Sequence, residues 1–438
     1  MYAMPGVQVS PSARHFFKMK ILVSSAKSSL NTRTSLKRLS DEPLPFLWCF
    51  GRVLSDKKRR VEMSQTSFEM IMPADMHVHF RDDEMLNTVA PLTARQFDSA
   101  LVMPNLLPPV RTASEARKYQ TRILSAISKA DMSGFLPLMT CYLVDDCNTD
   151  DIVEGFRNGS ISALKLYPAG ATTNSDMGLT DFELLFEKKS KVFKLLEQME
   201  HLNVEENIPA VLCMHGEVVT WNGREVDPFD REGIFYNEIA PRVRRQFPYL
   251  KIVAEHISTK IALQWVQDED VHYTAASVTP HHLLINRTDL FRGGMRPHLY
   301  CLPPVKRSED QRELRIAVML GDPHLFAGTD SAPHLVGKKH SHCCPGGVFS
   351  AHAAVELYAQ VFWEERGILD NRFESFMSLR GPTFYGIECS KRTLFLIRAP
   401  WHVADVVSIT PNHEEYVWPF GYDPKPEERM TLDWRIAR

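Results

Sequence analysis

The 438-residue sequence has no uninterrupted apolar stretch near the ~20 residues that a membrane-spanning helix needs. Its longest candidate, Phe135 to Val144, is strand-sized and contains Thr140. Charge of one sign is also lacking. The 51 Lys and Arg against 54 Asp and Glu leave −3, which excludes nucleic-acid binding through a global positive field. Cysteine is sparse: eight residues at irregular spacing make no disulfide framework. A reducing compartment fits them better, so the cytoplasm is the expected location. The 44 % of apolar residues excludes a mostly disordered chain. What stands out is 17 histidines, several beside carboxylates.

Charge is unevenly spread. Residues 1–60 hold 12 Lys/Arg and 3 Asp/Glu, a net of +9, so the rest of the chain carries −12 towards the total of −3. The head is rich in Ser, and its first acidic residue is Asp41, as in a mitochondrial presequence. Pro43, Pro45 and the bulky Phe46-Leu47-Trp48 run interrupt any amphipathic helix there. Residues 1–66 are therefore expected to be a disordered extension, or an upstream translation start with the true start near Met63. Mitochondrial targeting is the alternative. The Lys57–Arg60 run reads as a solvated charge run.

From Met70 on, short apolar runs alternate with longer amphipathic segments. The runs are Ser99–Met103, Phe135–Val144, Ile161–Leu166, Ala210–Met214, Ile252–Ala254, Tyr273–Val278 and Leu325–Ala327, with one more before His77. Most are separated by room for a loop and a helix, as in βα units. Eight such units suggest an α/β protein built as a (β/α)8 TIM barrel over residues 67–390. A doubly wound sheet fits the same alternation. Residues 391–438, with Trp401 and His402, are expected to pack as a tail around the barrel.

Polar residues follow these runs. In a strand, residues i and i+2 share a face, so His77 and His79 point together, as two imidazoles on one metal would. Lys165 ends one run, and an ammonium there must find water, an acid or a special chemical role. His215, His256 and Asp330 follow three others. In a barrel those ends converge on one mouth. Two divalent cations about 3.5–4 Å apart would bring four positive charges. Asp330 and a bridging hydroxide offset two of them. If the neutral Lys165 amine captured carbon dioxide, its carbamate would offset a third and offer one oxygen to each ion. Zinc suits nitrogen and oxygen donors with positions left open for water.

The segments carrying these residues resemble the dihydroorotase family, in its shorter monofunctional bacterial and fungal type, within the amidohydrolase superfamily. The likeness runs from about Met70 to about Gly386. It rests on Asp75-Met76-His77-Val78-His79-Phe80-Arg81-Asp82, Val102-Met103-Pro104-Asn105-Leu106 and the stretch from Lys165 to Ser175. His215-Gly216-Glu217, Glu255-His256-Ile257, the stretch from Arg296 to Pro303 and Gly328-Thr329-Asp330-Ser331-Ala332-Pro333-His334 follow in order.

The resemblance implies reversible cyclisation of N-carbamoyl-L-aspartate to L-dihydroorotate, a step of pyrimidine biosynthesis, at two Zn2+ per subunit. His77 and His79 resemble ligands of the first zinc, and His215 and His256 those of the second. Lys165 resembles the carboxylated lysine that bridges them with a hydroxide. Asp330 resembles the first-zinc ligand that also acts as general acid/base. Arg81, Asn105 and His334 look like a clamp on the substrate carboxylate. Leu302 and Gly346 resemble positions whose backbone meets the substrate ring. Thr172 and Thr173 sit where the family has a mobile loop. The family often has Ala or another small residue where Gly346 stands, a change that a backbone contact survives. The basic head has no counterpart in the short bacterial members. Family members are often homodimers, and neither nucleic acid nor membrane is expected as a partner.

Two rival readings are a hydantoinase- or allantoinase-like cyclic-amide hydrolase and a catalytically inactive amidohydrolase-fold scaffold. The Arg81–Asn105–His334 set suits a carboxylate and argues against the first; six filled ligand positions argue against the second. His340-Ser341-His342-Cys343-Cys344 has adjacent, loop-borne ligands without a partner pair and reads as a loop near the substrate. His281-His282 reads as an ordinary hydrogen-bonded pair or as support for the metals. Tyr167 and Tyr300 read as wall residues.

Overall fold

A strand buried on both faces has no polar side to present, so its sequence is a short apolar run rather than an alternation. The computed structural model describes residues 65–130, 134–403, 405–410 and 412–437. The features expected of residues 1–64 lie outside the described residues. After β1 (Ser67–Ile71) come eight strands: β2 (Ala74–Val78), β3 (Ser99–Val102), β4 (Leu136–Tyr142), β5 (Ala163–Leu166), β6 (Val211–Met214), β7 (Lys251–Ala254), β8 (Thr274–Val278) and β9 (Leu325–Ala327). Each pairs in parallel with the next, and sheet order follows chain order. A parallel bridge between Val78 and Ser331 joins the two ends of the sheet. Asp330 N also donates to His77 O at 2.8 Å, and His79 N to Ser331 O at 3.1 Å. This seam makes the sheet a barrel and excludes the doubly wound alternative.

The outer layer contains α1 (Asp83–Ala94), α2 (Ala113–Lys129), α3 (Thr149–Arg157), α4 (Lys191–Val204), α5 (Lys260–Gln267), α6 (Ser308–Leu320) and α7 (Ala354–Arg366). Asp82, Thr112, Asn148, Ser190 and Thr259 cap five of them by accepting from a first-turn N–H. Each such cap is worth about 1 kcal/mol and fixes where the loop from the preceding strand must end. Inside the barrel, Met76, Leu138, Val211, Val253 and Phe326 pack over Phe384 and Tyr385. The interior is therefore a filled core, and the polar groups collect at the carboxyl ends of the strands.

β2 carries one extra residue against β3: Asp75 pairs with Ala100, and the next pair is Val78 with Val102. A bulge of this kind re-aims a side chain, and His77 lies within it. β1 joins a separate antiparallel sheet with β10 (Thr393–His402) and β11 (Thr431–Ile436). Trp434 of β11 is fully buried, and its ring meets Trp363 of α7 with centroids 5.4 Å apart. Among the described residues, no helix is long and apolar enough to cross a membrane.

Candidate metal centre

His77 and Lys165 lie in β2 and β5, while His79, His215, His256 and Asp330 follow β2, β6, β7 and β9 within three residues. All six are buried. All except Lys165 line one cavity together with Arg81, Asn105, Thr172, Thr173, Leu302 and Gly346. Lys165 lies beside it, with Nζ 5.1 Å from the Tyr167 ring centroid and no hydrogen-bond partner. Arg81, His256 and Asp330 have positive φ values of 60°, 40° and 44°. Such strain in non-glycine residues persists where the surroundings over-determine it, and it concentrates at functional sites.

The hydrogen bonds fix how the imidazoles face. His77 Nδ1 is 2.7 Å from Glu255 Oε2, and His79 Nδ1 is 2.8 Å from Asn105 Oδ1. Both partners are acceptors, so each ring carries its proton on Nδ1 and turns a lone pair outward at Nε2. Yet the two Nε2 atoms stand 3.4 Å apart, and Asp330 Oδ1 lies 3.0 Å from one and 3.4 Å from the other. On the facing side, His215 Nε2 donates to Glu217 Oε2 at 2.8 Å, which leaves a lone pair on Nδ1, 3.2 Å from His256 Nε2. The His77 and His79 rings, which aim lone pairs at one another and at a carboxylate, repel unless a cation lies among them. Donor atoms of His77, His256 and Asp330 fall within 4.8 Å of one another. The residues thus fit divalent metal, and the buried, partnerless Lys165 Nζ fits a group that has to be used by something other than the protein.

Electrostatics agree with this arrangement. Burial pushes His79 down to about 4, against a smaller opposing pull from Asp330, so the ring is neutral and a competent ligand near pH 7. Burial alone would raise Asp330 and Glu255. The His77 and His79 imidazoles instead hold Asp330 well below the usual carboxylate range, and His77, in contact with it, lowers Glu255. Burial lowers Lys165, with Glu255 pulling the other way, which favours the neutral amine that carbamate formation requires.

Arg81 Nη2 lies 3.1 Å from His334 Nε2, and Arg81 Nε donates to Pro333 O at 3.3 Å. Asn105 stands apart from this pair: besides meeting His79, its Nδ2 donates to Thr173 O at 3.0 Å. Thr173 Oγ1 donates to Gly346 O at 3.1 Å, which ties the Thr172–Thr173 segment to the Gly346 backbone where both line the cavity.

Sequence reading named no role for Glu217, Glu255 or Asp75. Asp75 is buried and accepts from Thr329 N at 2.8 Å and Thr329 Oγ1 at 2.6 Å, which places the residue before Asp330. The signals were present: an acid two residues after His215, another directly before His256, and a third two before His77. His282 is bonded to Thr279 Oγ1 at 2.8 Å and Pro303 O at 3.1 Å, as in an ordinary structural histidine, whereas both nitrogens of buried His281 lack partners. In the His340–Cys344 loop, His340 Nε2 meets His298 Nε2 at 2.9 Å.

A closed parallel barrel with imidazoles, an aspartate and a buried lysine at its carboxyl mouth defines a metal-dependent amidohydrolase. No family model matches the chain. A curated dihydroorotase from Aromatoleum aromaticum is 44 % identical over 372 residues, covering 84 % of this chain and 99 % of that protein. The crystal structure of dihydroorotase from Campylobacter jejuni superposes with a TM-score of 0.72 at 32 % identity, over 85 % of this chain and 98 % of that one. Dihydroorotase from Saccharomyces cerevisiae, solved in complex with 5-fluoroorotic acid, gives 0.73 at 28 % identity, over 85 % and 99 %. The chain belongs to the dihydroorotase family.

Proposed function

We propose that this protein is a working dihydroorotase. It interconverts N-carbamoyl-L-aspartate and L-dihydroorotate, the ring closure of pyrimidine biosynthesis. The observation that carries the reading is the meeting of five donor side chains with Arg81 in one cavity, beside Lys165 and His334. His77, His79 and Asp330 would hold one zinc and His215 and His256 a second, with carboxylated Lys165 and a hydroxide shared between them. The ions, when bound, supply Lewis acidity and a nucleophile at neutral pH.

The chain's own residues do the rest. Arg81 is a planar donor fork suited to the substrate carboxylate that takes no part in the reaction. His334 stands beside it, and Asn105 both orients His79 and reaches the loop. Asp330, low in pKa and next to His79 Nε2, takes a proton from the attacking water and delivers it to the departing ring nitrogen. In the closing direction the same carboxylate returns it. Carbamoyl aspartate is a dianion and dihydroorotate a monoanion near neutrality, so closure consumes a proton and acid favours the ring. Thr172 and Thr173 would cover the ring, and Leu302 and Gly346, the latter bonded to Thr173, would offer backbone to it.

The same reading takes residues 67–390 as the catalytic barrel, 391–438 as its C-terminal cover, a homodimer as the assembly and the cytoplasm as the compartment. The deciding experiment is metal analysis of the full chain paired with turnover of dihydroorotate and of hydantoin. Two zinc ions per chain with turnover of dihydroorotate alone is the expected result. Preference for hydantoin, or no turnover by the metal-loaded chain, overturns the reading.

A further inference from the structure

Lys339 is 3 % exposed, on the short helix Val336–Lys339 that follows His334. Its Nζ donates to Tyr300 O at 3.0 Å, Pro345 O at 3.0 Å and Gly347 O at 2.9 Å. An ammonium has three N–H groups and a neutral amine two, so three carbonyl acceptors match the charged form. Burial pushes the group down to about 8, with the Cys344 and Cys301 thiols opposing, and it stays mostly protonated at neutral pH. A buried ammonium is costly unless every donor is satisfied, and here three backbone carbonyls do this. The metal ligands have no part in it.

The three carbonyls belong to two backbone strips. One runs through Tyr300 to Leu302 and the other through Pro345 to Gly347. Gly347 N donates to Tyr300 O at 2.9 Å, so that carbonyl joins both strips and the lysine. Leu302 and Gly346 are the points where these strips reach the cavity. The fit between them is tight: a Cβ added at Gly346 would lie 2.9 Å from Leu302 Cδ1, and one at Gly347 2.6 Å from Ala332 O. Gly346 O in turn accepts from Thr173 Oγ1 and from His334 Nε2. A shift of the Gly346 strip would therefore disturb the loop and the anion pocket together.

We propose that Lys339 is a positioning residue for substrate binding: its ammonium clamps the strips bearing Leu302 and Gly346 so that their backbone groups meet the substrate. The proposal rests on the dihydroorotase reading. Backbone contacts that hold ground state and transition state alike raise KM and spare kcat when they are lost.

The test is steady-state kinetics of the metal-loaded wild type, K339M and K339R on dihydroorotate, with zinc content measured on each. K339M keeps the apolar stem and loses the charge and the donors. It is expected to raise KM at least about tenfold, with kcat within about threefold of wild type and zinc unchanged. K339R, which keeps the charge, is expected to lie between them. An unchanged KM in K339M overturns the proposal, as does a fall in kcat without a rise in KM, or loss of zinc. If neither variant folds, Lys339 serves the fold itself, and the positioning role is overturned. A wild type that does not turn over dihydroorotate breaks the functional reading instead, so the two failures are distinguishable.

Discussion

Glu255 accepts from His77 Nδ1 at 2.7 Å across 178 positions of sequence, while its neighbour His256 faces His215. One turn of chain thus orients an imidazole on β2 and supplies another. E255Q can still accept at one atom, but it loses the charge that holds His77 as a strong ligand. Zinc affinity should fall about 10–100-fold, and likewise for E217Q through His215. Competition with a chelator measures this, and wild-type affinity in both variants would remove the orienting role.

Arg81 is predicted to act on the substrate and not on the metal. R81K replaces a planar fork by a point charge. Hydrogen bonds to charged groups are worth roughly 1.5–3 kcal/mol, so KM should rise between about tenfold and a hundredfold while zinc content holds. Metal loss in R81K would contradict the assignment.

Lys165 is predicted to act on the metal. K165A should lose metal and activity together, and short carboxylic acids should restore part of both by occupying the vacated space. Full zinc occupancy in the alanine variant would exclude a bridging role.

Acid should destabilise the metal-free chain. Burial pushes His79 and His281 down to about 4 and His352 to about 3, each from 6.5. The folded state keeps these rings neutral and the unfolded state protonates them near 6.5. Their contribution is therefore full above 6.5 and is lost as pH falls towards 4. Each ring accounts for on the order of 3 kcal/mol. Asp75 works in the opposite sense: burial raises it from 3.8 to about 7, so its contribution is full below 3.8 and lost as pH rises through 7. Three imidazoles outweigh one carboxyl. The denaturant midpoint of the metal-free chain should be lower at about pH 5 than at about pH 7; equal midpoints would refute this.

The barrel strands were legible because a doubly buried strand is written mainly in apolar residues, and most of the runs from Ser99 to Ala327 keep to that rule. His77 and His79 were legible from their spacing, and Lys165 from the oddity of a cation in a buried run. Closure of the sheet was not legible, because it depends on Val78 meeting Ser331, a contact with no local signature. The partner of Ser67–Ile71, a strand more than 300 residues away, was likewise not legible. Asn105 was read from family likeness as a clamp on substrate; its bond to His79 is a matter of side-chain direction, which spacing does not encode. Lys339 left no mark, since the carbonyls that hold it are backbone atoms and every residue has one.

The seam between β2 and β9 has a consequence for how the molecule is made. His77 and Asp330 meet where the first and last staves of the barrel join, by Asp330 N donating to His77 O. On the ribosome, a nascent chain that has not yet emerged past Ser331 holds four imidazoles and the lysine but has neither the join nor the final carboxylate. The donor set is therefore complete only late in biogenesis, once the whole ring of strands has been assembled.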